Sequence, residues 1–190
     1  VSDNSMAFAP VRAKIYKAPL GTNVSGITGV SALPSAFKDM GAMSLSAGFT
    51  ITLQGAPTRT VEREFFDEQV FYVTKSASDE LPTFDFTPLE SNAEVLESAL
   101  GVVVDEDGLM KYAGGIPENA CYVIDLADGA SSPKTMRYLI PNAATAINGS
   151  QSMSGSDKLL KWPIRFTAEP SEDIEGDLFW SWASWLADAS

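Results

Sequence analysis

The chain has 190 residues, enough to bury a sizeable core in one domain without disulfides or metal. Its 45% hydrophobic and 20% charged content is that of a globular protein, not a disordered one. A net charge of −12, from 25 acids against 13 bases, argues against a protein that grips nucleic acid, because such binding rests on Lys and Arg neutralising phosphates.

An acidic wall repels DNA and lets it slide, so DNA can still be a passing neighbour. With no histidine, His-based acid/base chemistry and His metal ligation are excluded. Cys121 is the only cysteine, so neither an intrachain disulfide nor a Cys-rich zinc site is available. The opening "VSDNSMAFAP" has no basic region followed by an apolar run, and no signal peptide is expected there. No stretch approaches the roughly 18 apolar residues of a membrane-spanning helix.

In chain order, "VRAKIYKAP" (11–19) alternates Val11, Ala13 and Ile15 against Arg12, Lys14 and Tyr16, which predicts a half-buried strand. A Gly/Ser/Thr/Pro loop follows at 19–35. "GFTITLQG" alternates Phe49, Ile51 and Leu53 against Thr50, Thr52 and Gln54. "GAPTRTVEREFFDE" (55–68) is expected to be a long loop, too long for an ordinary hairpin turn. "VFYVT" (70–74), "CYVIDL" (121–126) and "TMRYLI" (135–140) are apolar on both faces, or nearly so, and are expected as central strands. "TFDFT" sets Phe84 and Phe86 against Thr83, Asp85 and Thr87.

"SNAEVLESALG" predicts a helix over about 91–100, with a Ser91/Glu94 capping box, an apolar stripe of Val95, Leu96, Ala99 and Leu100, and Gly101 to end it. "DEDG" (105–108), "DGASSPK" (128–134) and "NGSQSMSGSDK" (148–158) read as turns. "LLKWPIRFTA" (159–168) predicts a strand, and Pro163 inside it predicts an edge or a bulge. At the C-terminus Leu178, Trp182, Trp185 and Leu186 fall at helical spacing with Asp177 placed to cap, although Trp180 and Trp182 also fit a strand. The architecture expected is mainly β: a sandwich or barrel with one flanking helix, plus terminal arms and a long loop.

The chemistry-bearing patterns are sparse. Cys121 lacks the neighbouring base that activates a thiol nucleophile and reads as a small buried hydrophobe. Ser131-Ser132-Pro133-Lys134 matches S-x-x-K but lies in a turn, where Ser and Lys do not share a helical face. "VDEDGL" resembles part of a calcium loop but has Val103 at the first ligand position. The sequons at Asn23 and Asn148 carry no weight without a secretion signal, and there is no phosphate-cradling glycine loop. No catalytic, cofactor-binding or metal residue is assigned, and a structural or binding protein is expected rather than an enzyme.

The order "KIYKAPLGT" (14–22), "DMGAMSLSAGFTITL" (39–53), "FDFTPLESNAEVLESALG" (84–101), "VIDLADG" (123–129), "MRYLIPNA" (136–143) and "KWPIRFTAEP" (161–170) resembles the major tail tube proteins of long-tailed bacteriophages with flexible, non-contractile tails, those of actinobacterial hosts most. The resemblance implies a β-sandwich or barrel with a flanking helix. It implies homo-hexameric rings stacked into a tube, with neighbouring sheets joined around a lumen through which genomic DNA passes. It also implies a virion location, with tape measure, tail terminator and tail-tip proteins as partners, and no catalytic residue. It ends near Pro170, so the chain divides into an N-terminal arm (1–10), a tail tube domain (11–170) and an acidic, Trp-rich extension (171–190).

Two regions are candidate subunit or ring contacts. The 55–68 segment carries Arg59, Arg63, Phe65 and Phe66, and Arg and aromatics are favoured interface anchors. The C-terminus carries Trp180, Trp182 and Trp185, which either pack on their own domain or reach a neighbour across a 171–177 acidic linker. A membrane role for that end is disfavoured by Glu169, Glu172, Asp173, Glu175, Asp177 and Asp188 without any Lys or Arg. Asp85 is a candidate acid of the lumen wall. The alternatives kept open are a capsid decoration protein, a tube of a secretion or contractile-injection system, and a carbohydrate-binding β-sandwich whose tryptophans form a sugar platform.

Overall fold

A computed structural model describes Phe8 and residues 10–44, 49–53, 58–63, 70–76, 81–112, 117–129, 134–149 and 160–187; for 58–63 and 70–76 it describes backbone and pairing. The strands are β1 (Pro10–Pro19), β2 (Lys38–Asp39), β3 (Thr50–Thr52), β4 (Thr58–Arg63), β5 (Val70–Ser76), β6 (Thr83–Phe86), β7 (Val103–Val104), β8 (Met110–Lys111), β9 (Ala120–Asp128), β10 (Thr135–Ile147), β11 (Ile164–Ala168) and β12 (Trp180–Ala183). The helices are α1 (Ala93–Leu100) and α2 (Ser184–Ala187), with a 3-10 turn at Glu172–Ile174.

Eight strands make one antiparallel sheet in the order β2-β1-β9-β10-β11-β6-β3, with β12 also on β10. β10 is the strand that folds the sheet over. Its first half pairs with β9 and, over Met136–Leu139, with β12, while Ala143–Ile147 pair with β11. Between the halves the β9 register slips from Ile140 to Ala143, at Pro141, which has no N–H to give a ladder. Non-neighbouring strands therefore meet face to face. Phe84 of β6 makes an edge contact with Tyr138 of β10 at 5.8 Å, and Phe166 of β11 stacks on Tyr122 of β9 at 3.7 Å. The enclosed core includes Ile15, Phe84, Ile124, Ile140 and Phe166, with Val95 and Ala99 of α1 packed into it. The fold is mainly β with one flanking helix, as the periodicity predicts.

A second apolar layer lies on the outer face of β1, β9 and the first half of β10. Ala18, Cys121, Val123 and Leu139 are covered there by Val24, Ile27 and Phe37 of the 20–37 loop and by Ile174, with Trp182 packed alongside. This explains why "CYVIDL" is apolar on both faces. Arg137 holds the loop down: Nε and Nη2 donate to the Asp125 carboxylate at 2.6 and 2.7 Å, and Nη1 donates to the carbonyls of Thr28 and Ser31 at 2.8 and 2.7 Å.

Several local expectations are corrected. The cap of α1 is Asn92, whose side chain accepts from Val95 N–H at 3.0 Å, not the Ser91/Glu94 box. Ser91 instead accepts the Trp162 indole N–H at 2.8 Å, a tertiary contact that removes its hydroxyl from the cap. Gly101 ends the helix with φ +63, as expected. Pro163 lies just ahead of β11, and β11 is internal, between β10 and β6, so neither an edge nor a bulge is needed. "VFYVT" is not central: β5 pairs with β4 alone among the described residues. Of the two readings kept open at the C-terminus, the strand holds for Trp180 and Trp182 in β12 and one helical turn follows with Trp185 and Leu186, because β10 offers β12 a ladder partner.

Candidate assembly surfaces

Two of the segments that carry the resemblance, 39–53 and 84–101, are hydrogen-bonded to each other. Gly41, at φ +84, turns the chain so that Ala42 N–H donates to Glu90 Oε1 at 2.8 Å. A Cβ on Gly41 would collide with the Glu90 carboxylate. Ser44 N–H donates to the Thr87 carbonyl and Leu89 N–H to the Ala42 carbonyl, both at 2.8 Å. The Asn92 amide reaches the Asp39 carbonyl at 3.4 Å. "DMGAMS" and "FTPLESN" are thus two halves of one structural clasp, which accounts for their spacing without any chemistry.

The same turn opens the sheet. Met40 N–H still donates to the Ile15 carbonyl at 2.9 Å, but beyond it the chain leaves β1 for Glu90. β2 pairs only with Tyr16 and Lys17, so Pro10–Lys14 have no strand on that side among the described residues. Beside this bare edge is an apolar slot of about 480 Å³, lined by Val11, Ala13, Met43, Phe49, Phe86 and Leu126 among others. Unpaired edges are sites where another chain adds. Sequence reasoning missed this seam. Its only trace was Gly41, a residue suited to positive φ, next to a segment otherwise extended.

The 55–68 segment is not simply a loop. Its residues 58–63 form β4, which pairs with β5 in a two-stranded sheet separate from the main one. Arg59 and Arg63 lie on β4; Phe65 and Phe66 lie outside the described residues.

The C-terminal tryptophans are placed differently. β12 sets Trp180 opposite Leu139 and Trp182 opposite Arg137. Trp182 lies so close to Gly29 that a Cβ there would be 2.7 Å from its own Cβ. Trp185 stacks on Phe8 at 4.6 Å, and Trp180, 36% exposed, donates its indole N–H to Asp177 at 2.8 Å. The 171–177 stretch is a folded turn rather than a linker: Ser171 caps the 3-10 turn and Ile174 is fully buried.

Several other polar groups have structural partners. Asp85 accepts from Arg165 Nε and Nη2 at 2.7 and 2.9 Å and from Asn148 at 2.9 Å, so this lumen candidate is ion-paired. The hydrogen bonds that Arg165 donates to the Asp85 carboxylate raise its pKa. Burial, and then the Asp173 carboxylate, push the Cys121 thiol up to about 12, so it stays protonated and unreactive. Asp105 anchors the "DEDG" turn by accepting from Leu109 N–H at 2.8 Å. No group of three or more metal-ligating side chains occurs among the described residues, and no helix among them is long and apolar enough to cross a membrane.

No family model matches the chain, and no curated protein matches it either.

Proposed function

We propose that this chain is a structural, self-assembling subunit of a virion tail tube, forming stacked sixfold rings of the kind the sequence resemblance implies, with DNA passing through the lumen unbound. The observation that supports this most is the open seam. A curled sheet whose first strand has, among the described residues, a bare edge beside an apolar slot suits the addition of a strand from outside, and heterologous contacts of that kind close into rings. The net charge of −12 suits a conduit that must not hold phosphate. Partners beyond itself, the tape measure, terminator and tip proteins, belong to the same proposal. The carbohydrate reading has less support, because Trp182 and Trp185 are turned onto residues of their own chain. Electron microscopy of the purified chain tests the proposal. Rings or tubes are expected; a monomer that persists at high concentration overturns it.

A further inference from the structure

The slot beside β1 is charged against the trend of the chain. Its described lining holds two bases, Arg12 and Lys14, and no acid, on a chain of net charge −12. Arg12 is exposed. The Lys14 side chain is 63% accessible, and its one carboxylate partner, Asp39 at 3.5 Å, is a surface pair of little worth. Behind these bases the lining is apolar, with Val11, Met43, Phe49 and Phe86.

The β7–β8 hairpin has the opposite make-up. It is a two-stranded sheet of its own, and such ribbons are marginal in water when nothing packs on them. Its turn carries Asp105, Glu106 and Asp107 against one base, Lys111, which lies 3.8 Å from Asp105. Glu106 and Asp107 are exposed. Val103 and Tyr112 are 66% and 70% accessible, and Leu109 and Met110 at least half so. An exposed apolar cluster with an acidic tip is the complement of an apolar slot with a basic rim. In its own chain the hairpin faces elsewhere: Val103 lines a separate cavity of about 850 Å³ with Lys17, Pro19 and Lys38, at the Pro19 end of β1, whereas the slot lies at the Pro10 end. A contact between the two surfaces is therefore a contact between copies.

We propose that the β7–β8 hairpin of a second copy of this chain occupies the slot beside β1. Met110 and Tyr112 enter the slot, and Glu106 and Asp107 meet Arg12 and Lys14. The contact is head-to-tail: each copy gives its hairpin to one neighbour and receives one from the other, the arrangement that lets a ring continue and close. The resemblance assigns no contact to this hairpin. The inference rests on the reading of the chain as a self-assembling subunit and names the element that fills its open seam.

A charge swap on the full chain tests it. Arg12→Glu with Lys14→Glu reverses the rim, and Glu106→Lys with Asp107→Lys reverses the hairpin while leaving Asp105 to hold the turn. Self-association is followed by sedimentation velocity, with circular dichroism melts to verify folding. Each pair of changes alone should weaken association at least about tenfold. An equimolar mixture of the two variants should recover it, because every rim then finds a hairpin of opposite charge in an alternating assembly. Glu172→Lys with Glu175→Lys makes the same change in net charge on another exposed acidic turn and should leave association within about twofold. Should either swap variant fail to fold, Met110→Ser with Tyr112→Ser, both exposed and outside the core, reads the same contact and should weaken association about tenfold. A wild-type chain that assembles while the swap variants assemble equally well, no recovery in the mixture, an equal loss in the 172/175 control, or no effect of the serine pair overturns this inference and leaves the tube reading standing. A wild-type chain that stays monomeric overturns both.

Discussion

The β4–β5 hairpin and the C-terminal stretch from Ser171 to Ala187 both read in sequence as arms, and they are built in opposite ways. The C-terminal stretch is locked into the domain: β12 takes ladder bonds from β10, Ile174 fills the outer apolar layer, and Phe179 meets Phe84 of the core at 5.4 Å. Among the described residues the hairpin has a ladder only within itself. Both mix charged residues with aromatic and aliphatic ones, so composition does not separate them. What separates them is whether a complementary edge and an apolar surface lie within reach. An element that finds both in its own chain becomes part of the monomer, and one that finds neither is free to find them in another copy.

The contrast is most severely tested by truncation. Ending the chain after Glu175 removes β12 and the Phe179 and Trp182 contacts, and should destabilise the monomer by on the order of 5 kcal/mol or more, comparable to the whole stability of a domain. A truncated chain with an unchanged denaturation midpoint would break the comparison. Ile174→Ala should cost about 3 kcal/mol in urea unfolding, because the side chain is fully buried; a cost near zero would return 171–177 to the status of a linker. Gly29→Ala should cost about 2 kcal/mol by forcing Trp182 aside, read as a lower melting temperature. Deleting residues 58–76 behind a short Gly/Ser bridge should move monomer stability by less than about 1 kcal/mol, because the β4–β5 ladder is separate from the main sheet, yet abolish tubes in negative stain. Normal tubes from that deletion would remove the hairpin from assembly.

Cys121 reports on the same contrast through pH. Its pKa in the folded chain, about 12, lies above its ordinary value of 9.0, so the thiol favours folding fully below about pH 9 and this contribution is lost as pH rises toward 12. Tyr122, raised by burial despite its hydrogen bond to Ser98, adds to the alkaline loss at higher pH. Alkylation at pH 8.5 should be negligible for the intact chain and for the hairpin deletion, and rapid for the chain ended after Glu175, which loses Trp182 from the outer layer that holds Cys121 and the stability that keeps that layer closed. Equal, slow alkylation of all three would show that the C-terminal stretch does not seal that layer.

Much of the sheet was legible because its strands repeat with period two or run apolar on both faces. Val11 to Ile15, Phe84 with Phe86, and Cys121 to Leu126 all report their surroundings through local pattern. The helix was legible for the same reason, but its cap was not: Ser91 and Asn92 are both good caps, and the choice was made by Trp162, some seventy residues away. The C-terminal strand was harder still. Leu178, Trp182, Trp185 and Leu186 satisfy helical spacing, and only the bare side of β10 turns them into a strand and a single helical turn. The open seam left almost no trace in sequence, since it is made by Gly41 leaving β1 for Glu90, a carboxylate far along the chain.

By itself, then, the sequence determined the class: a mainly β domain with one helix, no histidine chemistry, no disulfide and an acidic surface, because those follow from composition and from periods a few residues long. The tertiary structure alone decided that the C-terminal stretch joins the main sheet while β4 and β5 pair with each other, and which part of β1 is left without a strand among the described residues. Those outcomes depend on edges and apolar faces supplied by residues distant in the chain, and no local pattern records whether such a partner is in reach.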